Sequence, residues 1–271
     1  MKYCLITLVD NEKVDELYEL IDNLNQFFVI NNSNFDFLIF HEPGFLLKEN
    51  VKLNNNGKLL LHKVNFSIDQ FDEKIKNEIP NSFYGVNIGY RMMCRFFSGE
   101  VFKILKSYDY DYVLRLDTDS SFYEIINRNI FDEFKNTNSD YGYISITNDR
   151  MEFRTNLFES IVEYINKSNI HLNLSLIDTI RHQYNLVYYN NFEMIKLSEF
   201  TNNNYLEFYD FLDSKLGFLK YRWGDHAVRF LYLNIFKDQS KIYYFNDVAY
   251  KHTFFLKNKP FQLIDWEIKN F

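Results

Sequence analysis

The first forty residues constrain the fold most. Lys2 to Val9 is an apolar run of strand length that ends at Asp10-Asn11. Behind it Val14, Leu17, Tyr18, Ile21 and Leu24 recur at the spacing of one helical face. Asn31 to Asn34 interrupts that helix, and Phe35 to Phe40 is a second strand-length run. A strand, a helix and a second strand in this order form a βαβ unit, whose natural product is a parallel sheet. An α/β fold is the expectation.

The later chain continues the alternation. Asn54-Asn55-Asn56-Gly57 is a turn signal before a strand from Leu59 to Val64. Gln70 to Ser82 is polar and poorly periodic, a helix fragment or a loop. Tyr90, Met93, Phe97, Val101 and Ile104 mark one long helix from about Val86 to Ser107. Strands are expected at Tyr110 to Leu116, Tyr141 to Thr147, Tyr184 to Leu197 and Lys241 to Phe245. Helices are expected at Asn127 to Asn136, Met151 to Asn166, Tyr205 to Leu216 and Asp225 to Phe236, with a loop through His252 near the end. No linker or internal repeat divides the chain, so residues 1–271 read as one domain.

Charge and cysteine usage exclude some functions. The net charge of −7, with no long basic run, disfavours a partner gripped through nucleic-acid phosphates. Cys4 lies in an apolar strand and Cys94 in a helix, which reads as two buried thiols rather than a disulfide framework. No stretch reaches the ~18 apolar residues of a membrane span, and the N-terminus lacks a signal-peptide pattern. A cytosol-like location is the expectation, with the Golgi lumen only for a truncated chain.

Chemistry concentrates where the strand Tyr110 to Leu116 ends in Asp117-Thr118-Asp119. Ligands of α/β sheets bind beyond the carboxyl ends of strands, and two carboxylates there can hold a divalent cation. Taken alone, the pair reads first as a solvated acidic turn. Four further stretches stand out: Tyr90-Arg91-Met92-Met93-Cys94-Arg95-Phe96, Asn190-Asn191-Phe192-Glu193, Tyr221-Arg222-Trp223-Gly224-Asp225 and Asp247-Val248-Ala249-Tyr250-Lys251-His252. In isolation each has a structural reading. Arg91 fits an exposed helix face better than Arg95 does. Glu193 fits the solvent side of a strand. Trp223 fits a core anchor with Asp225 capping the next helix, and His252 fits a satisfied loop histidine.

With the acidic pair, these stretches resemble the fungal Kre2/Mnt1 α-1,2-mannosyltransferases, glycosyltransferase family 15, in order and spacing over nearly the whole chain. That family shows Tyr-Arg-His-Met-Cys-Arg-Phe, Arg-Val-Glu-Pro-Asp, Ser-Asn-Phe-Glu-Ile, Glu-Arg-Trp-Gly-Asp and Gly-Tyr-His-His or Gly-Tyr-Arg-His. The resemblance implies a GT-A fold, Mn2+ and a retaining transfer of mannose from GDP-mannose to a glycan or glycoprotein. Asp117, Asp119 and His252 match the family's metal end, and such a set of carboxylates and imidazole suits Mn2+. Glu193 matches the candidate nucleophile, Tyr90 a residue at the sugar and diphosphate, and Asp225 a sugar-hydroxyl partner. The resemblance also puts Thr7, Val9, Asp10, Arg95 and Asp117 around the nucleotide, and Arg222 and Trp223 near the acceptor. It implies a donor half over 1–119 and an acceptor and catalytic half over 120–271. Asp-Thr-Asp, the form most GT-A enzymes use, replaces the family's Glu-Pro-Asp. Asp10 stands where the family has an arginine, which keeps a UDP-sugar donor open as the alternative. A non-catalytic glycan-binding relative is the second alternative.

Overall fold

The computed structural model describes residues 1–170, 180–252 and 255–257. The opening βαβ unit forms as its periodicity requires. Strand β1 (Tyr3–Val9) pairs in parallel with β2 (Asp36–His41), with Leu5 opposite Phe37 and Val9 opposite His41. The connecting helix Val14–Asn23 runs on as one π-helical turn, Leu24–Phe28, and buries Leu17, Leu20, Ile21, Leu24 and Phe28. Strand β3 (Leu59–Lys63) extends this parallel edge beyond β2, and β4 (Tyr112–Leu116) pairs in parallel on the other side of β1.

The second half supplies β5 (Ser120–Phe122), β6 (Tyr141–Tyr143), β7 (Ile146–Asn148), β8 (Leu186–Tyr188), β9 (Phe192–Lys196), β10 (Ile242–Tyr244), β11 (Tyr250–His252) and β12 (Phe255–Lys257). Seven strands make one mixed sheet in the order β10-β6-β9-β4-β1-β2-β3, in which β9 runs antiparallel to both neighbours. Side chains alternate across it. Cys4, Ile6, Leu38, Phe40 and Val113 face a core built with the helices Val101–Leu105, Asn203–Ser214 and Asp225–Phe236. Leu5, Val9, Phe37, Ile39 and Leu114 face the helices Val14–Asn23 and Ile130–Asn136. Both faces are therefore covered, as a parallel core demands.

Four expectations change. The run Tyr141 to Thr147 splits into β6 and β7, and Tyr184 to Leu197 splits into β8 and β9. The splits match, because β6 and β9 pair in the main sheet while β7 and β8 pair in a separate two-stranded ribbon. The long helix is Ile88–Arg95 and Val101–Leu105 joined by a π turn, Phe96–Glu100. His252 lies in a strand rather than a loop: β11 pairs antiparallel with β5, setting His252 opposite Ser120. A short helix, Gly217–Tyr221, precedes Trp223-Gly224, flanked by Leu216 and Arg222 in the left-handed conformation.

Candidate functional site

The carboxyl ends of β1, β2 and β4 open on a cleft of about 680 Å3. Val9 and Asp10 line it from the end of β1, Glu42 from beyond β2, and Asp117, Thr118 and Asp119 from beyond β4. Tyr189, Asn190 and Asn191 reach it from the turn between β8 and β9, and Tyr90, Arg222, Asp225, His226 and His252 complete its wall.

At one end Asp117, Asp119 and His252 converge. The antiparallel β5–β11 pairing carries His252 to the acidic pair, where its Nε2 lies 2.8 Å from Asp119 Oδ1 and 3.8 Å from Asp117 Oδ2. Its Nδ1 meets the Tyr189 hydroxyl at 3.0 Å, an outer contact of the kind that fixes the ring of a metal-binding histidine. Asn191 donates to Asp117 Oδ2 at 2.7 Å, and its side-chain nitrogen lies 2.9 Å from His252 Nε2. Among the described residues no three His, Cys, Asp or Glu side chains are grouped so as to hold a metal ion as they stand. The donor set nevertheless fits a divalent ion, with two carboxylates and an imidazole nitrogen facing one another.

Behind this end lies a charge network that centres on Arg115. The β4 alternation turns Arg115 to the face of Val113, over the Phe97 ring at 3.5 Å, with 2% of its side chain exposed. Its Nε donates to Asp117 Oδ1 at 3.1 Å, and its Nη1 donates to Asp225 Oδ2 at 2.5 Å and to Glu193 Oε1 at 3.4 Å. Arg229 grips the other Glu193 oxygen at 3.2 Å and also donates to the Tyr205 hydroxyl and the Phe97 carbonyl. Asn190 donates to Asp225 Oδ2 at 2.7 Å. Burial alone would push the Asp225 carboxyl up, but Arg115, His226 and Asn190 outweigh it and hold the group below the usual range.

A second cluster adjoins Asp225, whose Oδ1 lies 3.9 Å from His226 Nδ1. Asp149 follows β7, and its Oδ1 accepts from Arg222 Nη1 at 3.3 Å. Its Oδ2 lies 3.2 Å from His226 Nε2 and 3.5 Å from Arg154 Nε. Arg222 also donates to the Tyr90 hydroxyl at 2.9 Å and sits over the Phe153 ring at 4.2 Å. Burial opposes the Asp149 charge, yet His226, Arg154 and Arg222 leave its carboxyl well below the usual range.

The expected site residues divide. Tyr90, Val9, Asp10, Asp117, Asp119, Arg222, Asp225 and His252 all line the cleft. Glu193 lies beside it but not on it: 1% of the residue is exposed, and each oxygen faces a guanidinium. Asp225 is the first residue of its helix, whose N-cap is Gly224, so the expected capping role is replaced by the bonds to Arg115 and Asn190. Thr7 is fully buried in the interior of β1, two residues short of the strand end, and does not reach the cleft. Arg95 is drawn away by Asp213, with paired contacts of 2.6 and 2.7 Å, and so cannot serve as a phosphate fork there. Trp223 is fully buried against Phe218 and donates to the Thr155 carbonyl at 2.7 Å, so its ring offers no face to a sugar. Arg91 is buried rather than exposed, and it binds the carbonyls of Leu219, Pro80 and Asn81.

Sequence reasoning missed Arg115, Arg229, Tyr189, Asn191, Asp149 and His226 as individual participants. The first two carried a signal, since each is a lone cation inside an apolar run. Asn191 stood in a stretch already singled out, and Tyr189, Asp149 and His226 carried no signal, because their partners are distant in the chain.

A model of the glycolipid 2-alpha-mannosyltransferase family matches residues 1–266. The chain is 27% identical to the probable mannosyltransferase MNT3 of Candida albicans, over 98% of this chain and 73% of that protein. It is 33% identical to the probable mannosyltransferase KTR3 of Saccharomyces cerevisiae, over 68% of this chain and 47% of that protein. Among solved structures, it is similar to the mannosyltransferase Ktr4p from S. cerevisiae in complex with GDP. The TM-score is 0.76 at 22% identity, covering 93% of this chain and 71% of that one. The Mn/GDP form of core-mannan synthase A from Aspergillus fumigatus gives a TM-score of 0.76 at 21% identity, covering 93% and 74%. These likenesses identify the fold as GT-A. They also correct the expectation of cytosol-like surroundings: the relatives belong to the Kre2/Mnt/Ktr group of Golgi-type mannosyltransferases, which leaves a cytosolic placement without support. No described helix is long and apolar enough to cross a membrane, which by itself assigns no compartment.

Proposed function

Because the chain belongs to the glycolipid 2-alpha-mannosyltransferase family, we propose that it is a metal-dependent, retaining α-1,2-mannosyltransferase. It would carry mannose from GDP-mannose to a glycan or glycoprotein acceptor. The observation that carries this reading is the linkage through Arg115, which binds Asp117 at the Asp117–Asp119–His252 end and Asp225 further along the cleft. One buried guanidinium thus sets the spacing between a cation-holding end and a sugar-holding end. Residues up to Asp119 then supply most of the donor half, and later residues the acceptor and catalytic half.

Asp117, Asp119 and His252 would hold the ion, which when bound supplies Lewis-acid neutralisation of the departing diphosphate. Asp225 keeps its charge at neutral pH and can accept a hydrogen bond from a mannose hydroxyl. Tyr90 presents its ring and hydroxyl to the cleft. Asp10 lines the cleft with its Oδ1 accepting from the Glu12 backbone N–H, and the donor panel below decides between a guanine and a uracil base. Glu193, enclosed by Arg115 and Arg229, acts as a positioning residue that keeps Arg115 oriented, rather than as a nucleophile.

The test is calorimetric titration of GDP with and without Mn2+, followed by turnover of a panel of GDP- and UDP-sugars. Expected is GDP binding at least about tenfold tighter with Mn2+ and turnover of GDP-mannose above every UDP-sugar. Equal binding without the ion, in folded protein, removes the metal. A preferred UDP-sugar replaces the donor, and oligosaccharide binding with no nucleotide binding replaces the enzyme with a glycan-binding protein.

A further inference from the structure

We infer that Arg229 is a positioning residue for transfer: without touching the cleft, it holds the Glu193 carboxylate and the Phe97 segment that together support Arg115. The inference rests on the reading above, in which Arg115 sets the spacing of Asp117 and Asp225. Three observations carry it.

The first is the direction of its bonds. Arg229 is fully buried in the helix Asp225–Phe236, one turn beyond Asp225, and does not line the cleft. Its Nε donates to Glu193 Oε2 at 3.2 Å and its Nη2 to the Phe97 carbonyl at 3.0 Å. Arg115 leans on the same two residues. Its Nη1 donates to the other Glu193 oxygen at 3.4 Å, and its guanidinium lies 3.5 Å from the centre of the Phe97 ring. A guanidinium offers its N–H groups in one rigid plane, so Arg229 fixes Glu193 and Phe97 relative to each other.

The second is charge. Asp117, Asp225 and Glu193 set three carboxylates against the two guanidiniums of Arg115 and Arg229. The surplus negative charge belongs at the cleft, where the Asp117 side chain is 25% exposed, and not at Glu193, which is buried. Arg229 provides this by balancing Glu193. Without it the buried Glu193 charge is left to Arg115, because removing one partner of a buried pair leaves the other uncompensated. Arg115 is then drawn towards Glu193 and away from Asp117 and Asp225.

The third is the backbone that Arg229 grips. Phe97 and Ser98 lie in the π turn Phe96–Glu100, a conformation found mostly as single turns and frequently at functional sites. The Tyr205 hydroxyl donates to the Ser98 carbonyl at 2.6 Å and accepts from Arg229 Nη1 at 2.6 Å. Arg229 and Tyr205 thus pin successive carbonyls of the turn that carries the Phe97 ring. Packing alone does not call for a charge here. The guanidinium lies 4.7 Å from the Phe102 and Phe200 rings, and an apolar side chain of similar volume would fill that space without burying a charge.

The experiment compares Arg229→Gln, Arg229→Lys, Glu193→Gln and the double variant Glu193→Gln/Arg229→Gln, with GDP-mannose, Mn2+ and methyl α-mannopyranoside as acceptor. Calorimetric titration of GDP with Mn2+ counts the folded sites, and kcat is expressed per site. Arg229→Gln is expected to lower kcat at least about tenfold with the KM for GDP-mannose within about threefold, the pattern of lost positioning rather than lost binding. Arg229→Lys keeps the charge and is expected to recover at least about threefold of that loss. In the Glu193→Gln background, Arg229→Gln is expected to cost less than about threefold, because residues acting through one another are not additive. A merely structural arginine predicts equal losses in the two backgrounds. Should Arg229→Gln fail to fold, Tyr205→Phe loosens the same guanidinium, and its kcat is expected to fall at least about threefold. An unchanged kcat in the folded variant overturns the inference, as does a lysine that recovers nothing or a loss undiminished in the Glu193→Gln background. These results leave the donor reading standing wherever the wild type turns over GDP-mannose. A Glu193→Gln variant with no transfer at all removes the positioning role of Glu193 and this inference with it. A wild type with no use for GDP-mannose brings down both the donor reading and the inference.

Discussion

Arg115 and Glu193 illustrate how a single residue can matter without touching a substrate. A guanidinium buried to 2% exposure is tolerable only because Asp117, Asp225 and Glu193 surround it. Glu193 sits between Arg115 and Arg229 and lends its charge to both. Its neutralisation leaves Arg115 held by Asp117 and Asp225 but removes one of the three carboxylates that balance its charge. Glu193→Gln is expected to lower transfer by roughly 10–100-fold, the usual cost of removing an orienting partner. Affinity for GDP with Mn2+ should stay within about threefold. Mass spectrometry of enzyme quenched during turnover should find no mannosyl adduct, and an adduct on Glu193 would restore it as a nucleophile. At this scale much was legible. Asp117, Asp119 and His252 stood in recognisable stretches, and Arg115 was a charge in the otherwise apolar run Tyr112 to Leu116. Trp223 and Arg95 misled because a motif records which residues occur and not which way their side chains turn.

At the scale of elements, periodicity placed the strands and helices well and placed their interruptions poorly. The π turn Phe96–Glu100 lets Gly99 lie against the Tyr209 ring, where an added Cβ would meet ring carbons at 2.1 to 2.3 Å. Tyr209 is fully buried and donates from its hydroxyl to Glu100 at 3.0 Å, so the ring has little room to retreat. Gly99→Ala is expected to cost about 1–3 kcal/mol, the typical penalty for overpacking. Urea unfolding reads it as a lower midpoint at unchanged slope. A midpoint equal to wild type would mean that the helix Asn203–Ser214 moves off at little cost. Nothing local marks this contact, because its two partners lie on different helices. The paired splits of β6 from β7 and of β8 from β9 differ in this respect. Asn190-Asn191 marks the break between β8 and β9, whereas between β6 and β7 no such pair occurs and the partner strand decides where the chain leaves the main sheet.

For the whole molecule, the site depends on carboxylates that stay ionised when buried. Asp149 and Asp225 both have folded-state pKa values below their unfolded ones, because neighbouring cations outweigh the effect of burial. The unfolded chain therefore binds more protons in the acid range, and stability rises with pH there. The contribution is complete well above about pH 4, the ordinary carboxylate value, and is lost as pH falls through and below it. Urea midpoints measured between pH 7 and pH 3 should fall steeply below about pH 4, and Asp225→Asn should flatten that fall. A wild-type midpoint independent of pH over this range would contradict the ion pairs described.

The sequence by itself determined the α/β class, the parallel pairing of β1 with β2, and the placing of two carboxylates at the end of β4. These are properties of neighbours within a turn or a strand, and apolar spacing records them directly. Only the tertiary structure decided that His252 reaches those carboxylates through β5, that Arg115 couples Asp117 to Asp225, and that Asp149 meets Arg222 and His226. Those contacts join residues far apart in the chain. They exist because the order of the sheet and the covering of both its faces leave the charged groups few neighbours but one another.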